Sequence, residues 1–301
     1  MLQATHSPAS TQAPLRAHSP RFRSFRLRKM LRRLVLYIVL CAIAFLILVP
    51  LLWVLSTSFK IKSQVITLDI RWIPRPFTWA NYQYDLNNPL LPVVQWFINS
   101  LEVATASTIA ILVLDSLAAY AYARLRFPGR NLIFAGMLVT LFLPGILFLV
   151  PNFVTVANMG LLNTYTGVIL PGLAGVFGVF FLRQFFASIP KELEEAAMLD
   201  GATPFQIYYR IILPLSRPAL VTLAIISFVA SWNDFLWPLL ILNDNDKLTL
   251  PPGLSQLQSL YITQYGEMMA GAVIVAVPVL LVYIALQRYI VRSVATTGLR
   301  G

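Results

Sequence analysis

LVLYIVLCAIAFLILVPLLWVLS, residues 34–56, contains no charged side chain. A helix rises about 1.5 Å per residue, so about 20 apolar residues cross the roughly 30 Å hydrocarbon core of a bilayer. In hydrocarbon every backbone N–H and C=O must be satisfied within the segment. Without the alternation of barrel strands, only a helix does this. Working outward, five more apolar stretches of spanning length appear: Asn99–Tyr122, Leu132–Val150, Thr166–Phe186, Ala219–Ile241 and Met269–Gln287. The expected fold class is all-α, a polytopic membrane protein of six transmembrane helices. Composition agrees, since 58% of residues are apolar and only 12% charged, far from the balance of a soluble domain.

The first stretch continues through Leu51-Leu52-Trp53 with no small-residue cleavage site, so it reads as an anchor and not a removed signal. Residues 1–20, rich in Ser, Pro, Ala and Thr, have too little apolar surface to fold. Together with the basic run that follows, residues 1–30 are expected to form a disordered basic cytoplasmic tail, and 31–301 the six-helix domain. Lys and Arg near short loops stay in the cytoplasm. With the N-terminus inside, 18 of the 23 basic residues fall on the cytoplasmic side, and both termini are expected there. The outer side keeps Lys60, Lys62, Arg71, Arg75 and Lys247 beside Asp69, Asp85, Asp244, Asp246 and Glu267. The net charge of +11 is thus spread along membrane borders, and no nucleic-acid-binding motif accompanies it.

Chemistry-bearing motifs are few. Cys41 is the single cysteine and lies inside the first span, while His6 and His18 sit in the tail without a second ligand at metal spacing. No metal or cofactor is expected on this chain. No span carries a histidine or an acid pair of the kind an intramembrane enzyme needs, so the chain is not expected to be an enzyme. The phosphate cradle G-x-x-x-x-G-K-[ST] is absent as well, so any ATP and Mg would be bound by other subunits.

Between the fourth and fifth apolar stretches lies SIPKELEEAAMLDGATPFQIYYRIILP, residues 188–214. Ser188 is the expected N-cap and Pro190 suits a first turn. Glu192, Glu194 and Glu195 then sit at the positive end of a short helix. Gly201 tolerates a left-handed turn, and Thr203-Pro204-Phe205-Gln206 has the capping-box pattern that starts a second helix. The expected product is a helix-turn-helix elbow. Ala196 and Ala197 leave one face shallow enough for a partner surface to approach closely.

The spacing of Glu195-Ala196-Ala197, Gly201, Ile211 and Leu213-Pro214 resembles the EAA loop of permease subunits of ATP-binding-cassette importers. Further pieces resemble the carbohydrate branch of that family, and in particular its maltose-type second permease. They are Ser58-Phe59-Lys60, Asn81-Tyr82, Asn99-Ser100, Ala118 through Arg124, Phe127-Pro128-Gly129-Arg130, Trp232-Asn233-Asp234-Phe235 and Gln287-Arg288-Tyr289. This resemblance implies the type I importer permease fold in an inner or plasma membrane. It implies half of a pore for a sugar or oligosaccharide, paired with a second permease, an ATPase dimer and an extracytoplasmic solute-binding protein. A polyol, a glycerophosphodiester or another small solute is the alternative cargo. It further implies that Glu195, Ala196, Ala197, Asp200, Gly201, Leu213, Pro214 and the tail residue Arg300 couple to the ATPase.

Two acids lie within the apolar stretches, Asp115 and Asp234, and each needs a partner or water because a carboxylate at the bilayer centre costs about 3 kcal/mol. Trp232, Asn233 and Asp234 are the candidate lining of the substrate path. A structural role for Asp234, holding a broken helix before Pro238, is weighed equally. Asp115 reads as a near-interface residue above Arg124. Pro144-Gly145, Pro151 and Pro171-Gly172 are expected to kink or loosen the third and fourth spans.

Overall fold

A computed structural model describes residues 21–67, 71–260 and 265–297. In chain order the helices are α1 (Arg21–Ser58), α2 (Lys62–Val65), α3 (Ala80–Asn87), α4 (Val93–Arg124), α5 (Arg130–Thr140), α6 (Leu149–Asn158), α7 (Tyr165–Ile169) and α8 (Val176–Ser188). They continue as α9 (Glu192–Leu199), α10 (Pro204–Ile207), α11 (Leu213–Leu215), α12 (Arg217–Trp232), α13 (Leu236–Ile241), α14 (Leu250–Leu260) and α15 (Tyr265–Thr297). No strand occurs among the described residues.

Contacts divide the chain into two units, residues 1–53 and 54–301. The described part of the first is α1, whose apolar side chains such as Leu36, Phe45 and Leu46 are exposed, as lipid-facing residues would be. Helix α1 already begins at Arg21, which corrects the expectation of a disordered tail through residue 30: the last ten residues of that tail extend the helix. Arg300 lies outside the described residues.

In the second unit α4 is the central helix. It packs along α8 and α12, and α12 packs along α15. Among the described residues two helices qualify as spans alone by length and composition, Met30–Ser58 and Val93–Arg124. The count rises to five when each bent pair is taken as one crossing, and the sixth expected span falls on α15. The third span is a pair, because the chain turns by 99° between α5 and α6. Pro144, extended at ψ 128°, cannot donate to a continuing ladder. Helix α5 therefore closes with short-range bonds from the N–H groups of Leu141, Phe142 and Leu143 to the carbonyls of Leu138, Val139 and Thr140, and a new turn starts at Gly145. Pro151 causes no break: it lies in the first turn of α6, directly after the tight turn Gly145–Phe148. The fifth stretch is also interrupted, with α12 ending at Trp232 and α13 starting at Leu236.

The family-like pieces turn out to be joints. Asn81 Nδ2 donates to the carbonyls of Ser58 and Lys60 at 2.8 and 3.0 Å, and the Ser58 and Tyr82 hydroxyls are 2.8 Å apart. Phe59 stacks on Phe77 and meets Trp79 edge-on. At the N-terminal end of α4, Asn99 Nδ2 donates to the carbonyls of Asp246 and Leu248, both at 2.8 Å, and Ser100 Oγ accepts from the Leu250 N–H at 2.7 Å. These side chains give backbone groups of the adjoining loops hydrogen-bond partners.

Candidate functional site

The elbow forms as its local chemistry dictates. Helix α9 carries Glu192, Glu194 and Glu195 in its first turn, where the helix dipole favours them. Ser188 is not its cap: it closes α8, with its hydroxyl donating to the Phe185 carbonyl, and Lys191 stands at the α9 N-cap without a side-chain bond. The stop at the other end is a Schellman motif. Gly201, at φ 82°, donates its N–H to Met198 O, and Ala202 N–H reaches back to Ala197 O. Thr203 then starts α10 with a complete capping box: its N–H donates to Gln206 Oε1 at 2.8 Å, and its Oγ1 accepts from the Gln206 N–H at 3.3 Å.

Three joints tie this elbow to α4. The Arg124 guanidinium lies 2.7 Å from Glu194 Oε1, with both side chains almost fully buried. The same guanidinium donates to the carbonyls of Phe186 at 2.7 Å and Ile189 at 2.6 Å, which close the end of α8. Burial pushes the Glu194 carboxyl above its ordinary value, while Arg124 and Lys191 oppose that push. Further along, the Tyr120 hydroxyl donates to Pro204 O at 3.0 Å, and the Ser116 and Tyr208 hydroxyls are 2.7 Å apart. Beneath them Leu182, Phe186, Ile207 and Ile212 form a buried apolar cluster. The elbow is thus a rigid piece locked to one end of a 32-residue helix.

Its other face is bare. Glu195, Ala196, Asp200, Gly201 and Pro214 are exposed, and Ala197 and Leu213 are half-buried. Leu199 is 91% exposed, and Met198 and Phe205 stand out beside it. These three side chains put an apolar knob on a short polar elbow. Next to it a groove of about 880 Å³ is lined by Arg126, Arg130, Lys191, Glu195 and Met198 among others. The Arg124–Glu194 joint escaped the sequence reading because its members are 70 residues apart. The only sequence signal was an arginine ending an apolar span.

The second candidate set is divided by the fold. Trp232 is fully buried, stacked on Phe228 and edge-on to Phe97, with Nε1 donating to Val275 O at 3.3 Å; it is a core residue, which corrects its expected place in the path lining. Asn233 is exposed at the C-cap of α12. Asp234 stands in the break between α12 and α13, where its Oδ1 accepts a long 3.4 Å bond from the Trp237 N–H. It also lines a half-open cavity of about 320 Å³ bordered by α4, α7, α8 and α12. Asp234 thus has both a hydrogen bond across the helix break and a place on the cavity wall.

Residues 112–296 match the family described as binding-protein-dependent transport system inner membrane component. The arabinooligosaccharides transport system permease protein AraQ of Halalkalibacterium halodurans is 37% identical over 261 residues, covering 86% of this chain and 93% of that one. The diacetylchitobiose uptake system permease protein NgcG of Streptomyces coelicolor is 38% identical over 258 residues, covering 83% of each. Among solved structures, a bacterial ABC transporter involved in the import of the acidic polysaccharide alginate has a chain that aligns with a TM-score of 0.73 at 26% identity, over 92% of this chain and 99% of that one. The elbow on its helical membrane scaffold and these likenesses agree: the chain belongs to the binding-protein-dependent transport family as an inner-membrane, multi-pass permease subunit of an ATP-binding-cassette importer, a transport component and not an enzyme.

Proposed function

We propose that this chain forms half of the translocation path for a sugar or oligosaccharide handed over by an extracytoplasmic binding protein. Its other half is a second permease, and an ATPase dimer carrying ATP and Mg docks on the elbow. Both termini and the elbow face the cytoplasm, which follows from the excess of Lys and Arg on that side. The observation that carries the reading is the elbow itself: a preformed turn, apolar on its free face and bolted to α4 by Arg124, Tyr120 and Ser116. Glu195, Ala196, Ala197, Asp200, Gly201, Leu213 and Pro214 belong to the docking region. Relatives named for arabinooligosaccharides and diacetylchitobiose support the cargo class.

The mechanism follows from stiffness. When nucleotide draws the two ATPases together, the elbow moves with them. The buried ion pair and hydroxyl bonds pass that displacement to α4, whose neighbours α8 and α12 follow by packing. ATP drives the change only because the ATPase dimer binds it differently in the two states, and the loaded binding protein biases the same equilibrium from outside. The test is to copurify the assembly, identify its binding protein and screen that protein against a sugar panel by thermal shift. A sugar ligand raises its Tm by mass action. Stabilisation by polyols, phosphodiesters or amino acids alone would overturn the cargo assignment.

A further inference from the structure

The cavity that Asp234 borders also holds Asp115, which the sequence reading placed near an interface. Asp115 lies nine residues before Arg124, about 14 Å up the helix axis, and is only 4% exposed. Its carboxylate reaches across to α8, where a Cβ built on Gly178 would collide with it, so the glycine is what makes room for the acid. Ser107 from α4 and Ser227 and Ser231 from α12 complete the polar lining. Among the described residues, neither the Asp115 carboxylate nor these three side-chain hydroxyls has a hydrogen-bond or ionic partner, and no Lys, Arg or His lines the space. Buried polar groups without partners are costly, and a built cavity leaves them for something that enters it.

A volume of about 320 Å³ is at the lower end of small-molecule pockets. The lining offers carboxyl groups, which accept and, when protonated, also donate, and hydroxyls that both donate and accept, which suits a ligand rich in hydroxyl groups. Two acids without a base give an anionic group no cationic partner and, once ionised, repel it. We propose that this cavity is a hydroxyl-binding subsite on this chain's half of the path, admitting neutral sugars and turning away anionic ones, with Asp115 and Asp234 setting that selectivity. The proposal rests on the sugar-importer reading above.

The test uses the assembled complex in nanodiscs, with Cys41→Ser and Ser231→Cys in this chain. Modification of the introduced thiol by trimethylammonium-ethyl and by sulfonatoethyl methanethiosulfonate is followed from the mass of this chain. Each rate is normalised to that on free 2-mercaptoethanol. The cationic reagent is expected to be favoured by about ten-fold, the low end of what charge focusing in a cleft produces. Asp115→Asn and Asp234→Asn, close in shape to the originals, should each lower that preference about three-fold. High maltose should slow labelling, and glucuronate at the same concentration should not. A preference that is absent or indifferent to both Asn variants overturns the proposal, as does equal protection by glucuronate. ATP-driven sugar uptake is measured beside it. Uptake intact with no charge preference overturns the subsite alone, whereas charge preference without uptake of any sugar overturns the reading on which it rests.

Discussion

Replacing Arg124 with methionine keeps a long apolar stem but removes the group that joins α4, α8 and the elbow. The guanidinium makes three contacts of 2.6–2.7 Å, to Glu194 Oε1 and to the carbonyls of Phe186 and Ile189. Its loss strands a buried carboxylate and two carbonyls, and breaking a buried pair from one side costs about 3–5 kcal/mol. At about 1.4 kcal/mol per factor of ten, the undocked elbow becomes at least 100-fold more populated. The stranded Glu194 takes up a proton more readily, so the penalty is smaller at low pH and grows as pH rises. Arg124→Met with Glu194→Met removes both charges and should cost less than Arg124→Met alone. Hydrogen exchange over residues 186–200 in the purified complex reads the local opening, and binding-protein-stimulated ATPase activity reads the coupling. Unchanged exchange in Arg124→Met, or a double variant that costs the sum of the singles, would refute the reasoning.

Gly201→Asp puts a side chain where φ is 82°, at a strain cost of about 1–2 kcal/mol, and should abolish uptake while membrane levels of the chain hold; normal ATP-dependent uptake in proteoliposomes would count against the elbow. Asp234→Asn should retain most transport, while Asp234→Leu, which leaves a cavity wall and the Trp237 N–H without an acceptor, should lose at least ten-fold; uptake and stimulated ATPase activity distinguish this from a requirement for charge, in which both variants fail. Burial, with Glu267 nearby, pushes the Asp85 carboxyl up to about 7, so the folded state disfavours its ionised form. Its contribution is therefore intact below about pH 4 and is lost as pH rises to about 7, by at most about 4 kcal/mol. The Tm of the complex should fall across that window, and Asp85→Asn should flatten the fall; an unchanged slope would remove Asp85 as the cause.

Local chemistry was the legible part. Apolar runs gave the helices because hydrocarbon leaves the backbone no other choice, and Gly201 with Thr203 and Gln206 gave the elbow because caps are settled within four residues. What depended on residues far apart in the chain was hidden. Arg124 reads as one more border arginine until the fold brings Glu194 to it. Trp232 reads as path lining because aromatic residues serve both paths and cores, and only packing against Phe97 and Phe228 places it in the core. Pro144-Gly145 announces a kink but not its 99° angle. Asp115 reads as a snorkelling acid until Gly178 shows that α8 was left open for it.

The docking of an ATPase on the elbow is tested most directly at Leu199, the 91% exposed tip of the knob. A photoactivatable benzoylphenylalanine placed there in the assembled complex should crosslink to the ATPase subunit, while the same residue at Phe142, 86% exposed past the far end of α5, should not. Efficient ATP-dependent uptake with no ATPase adduct at position 199 would contradict the account.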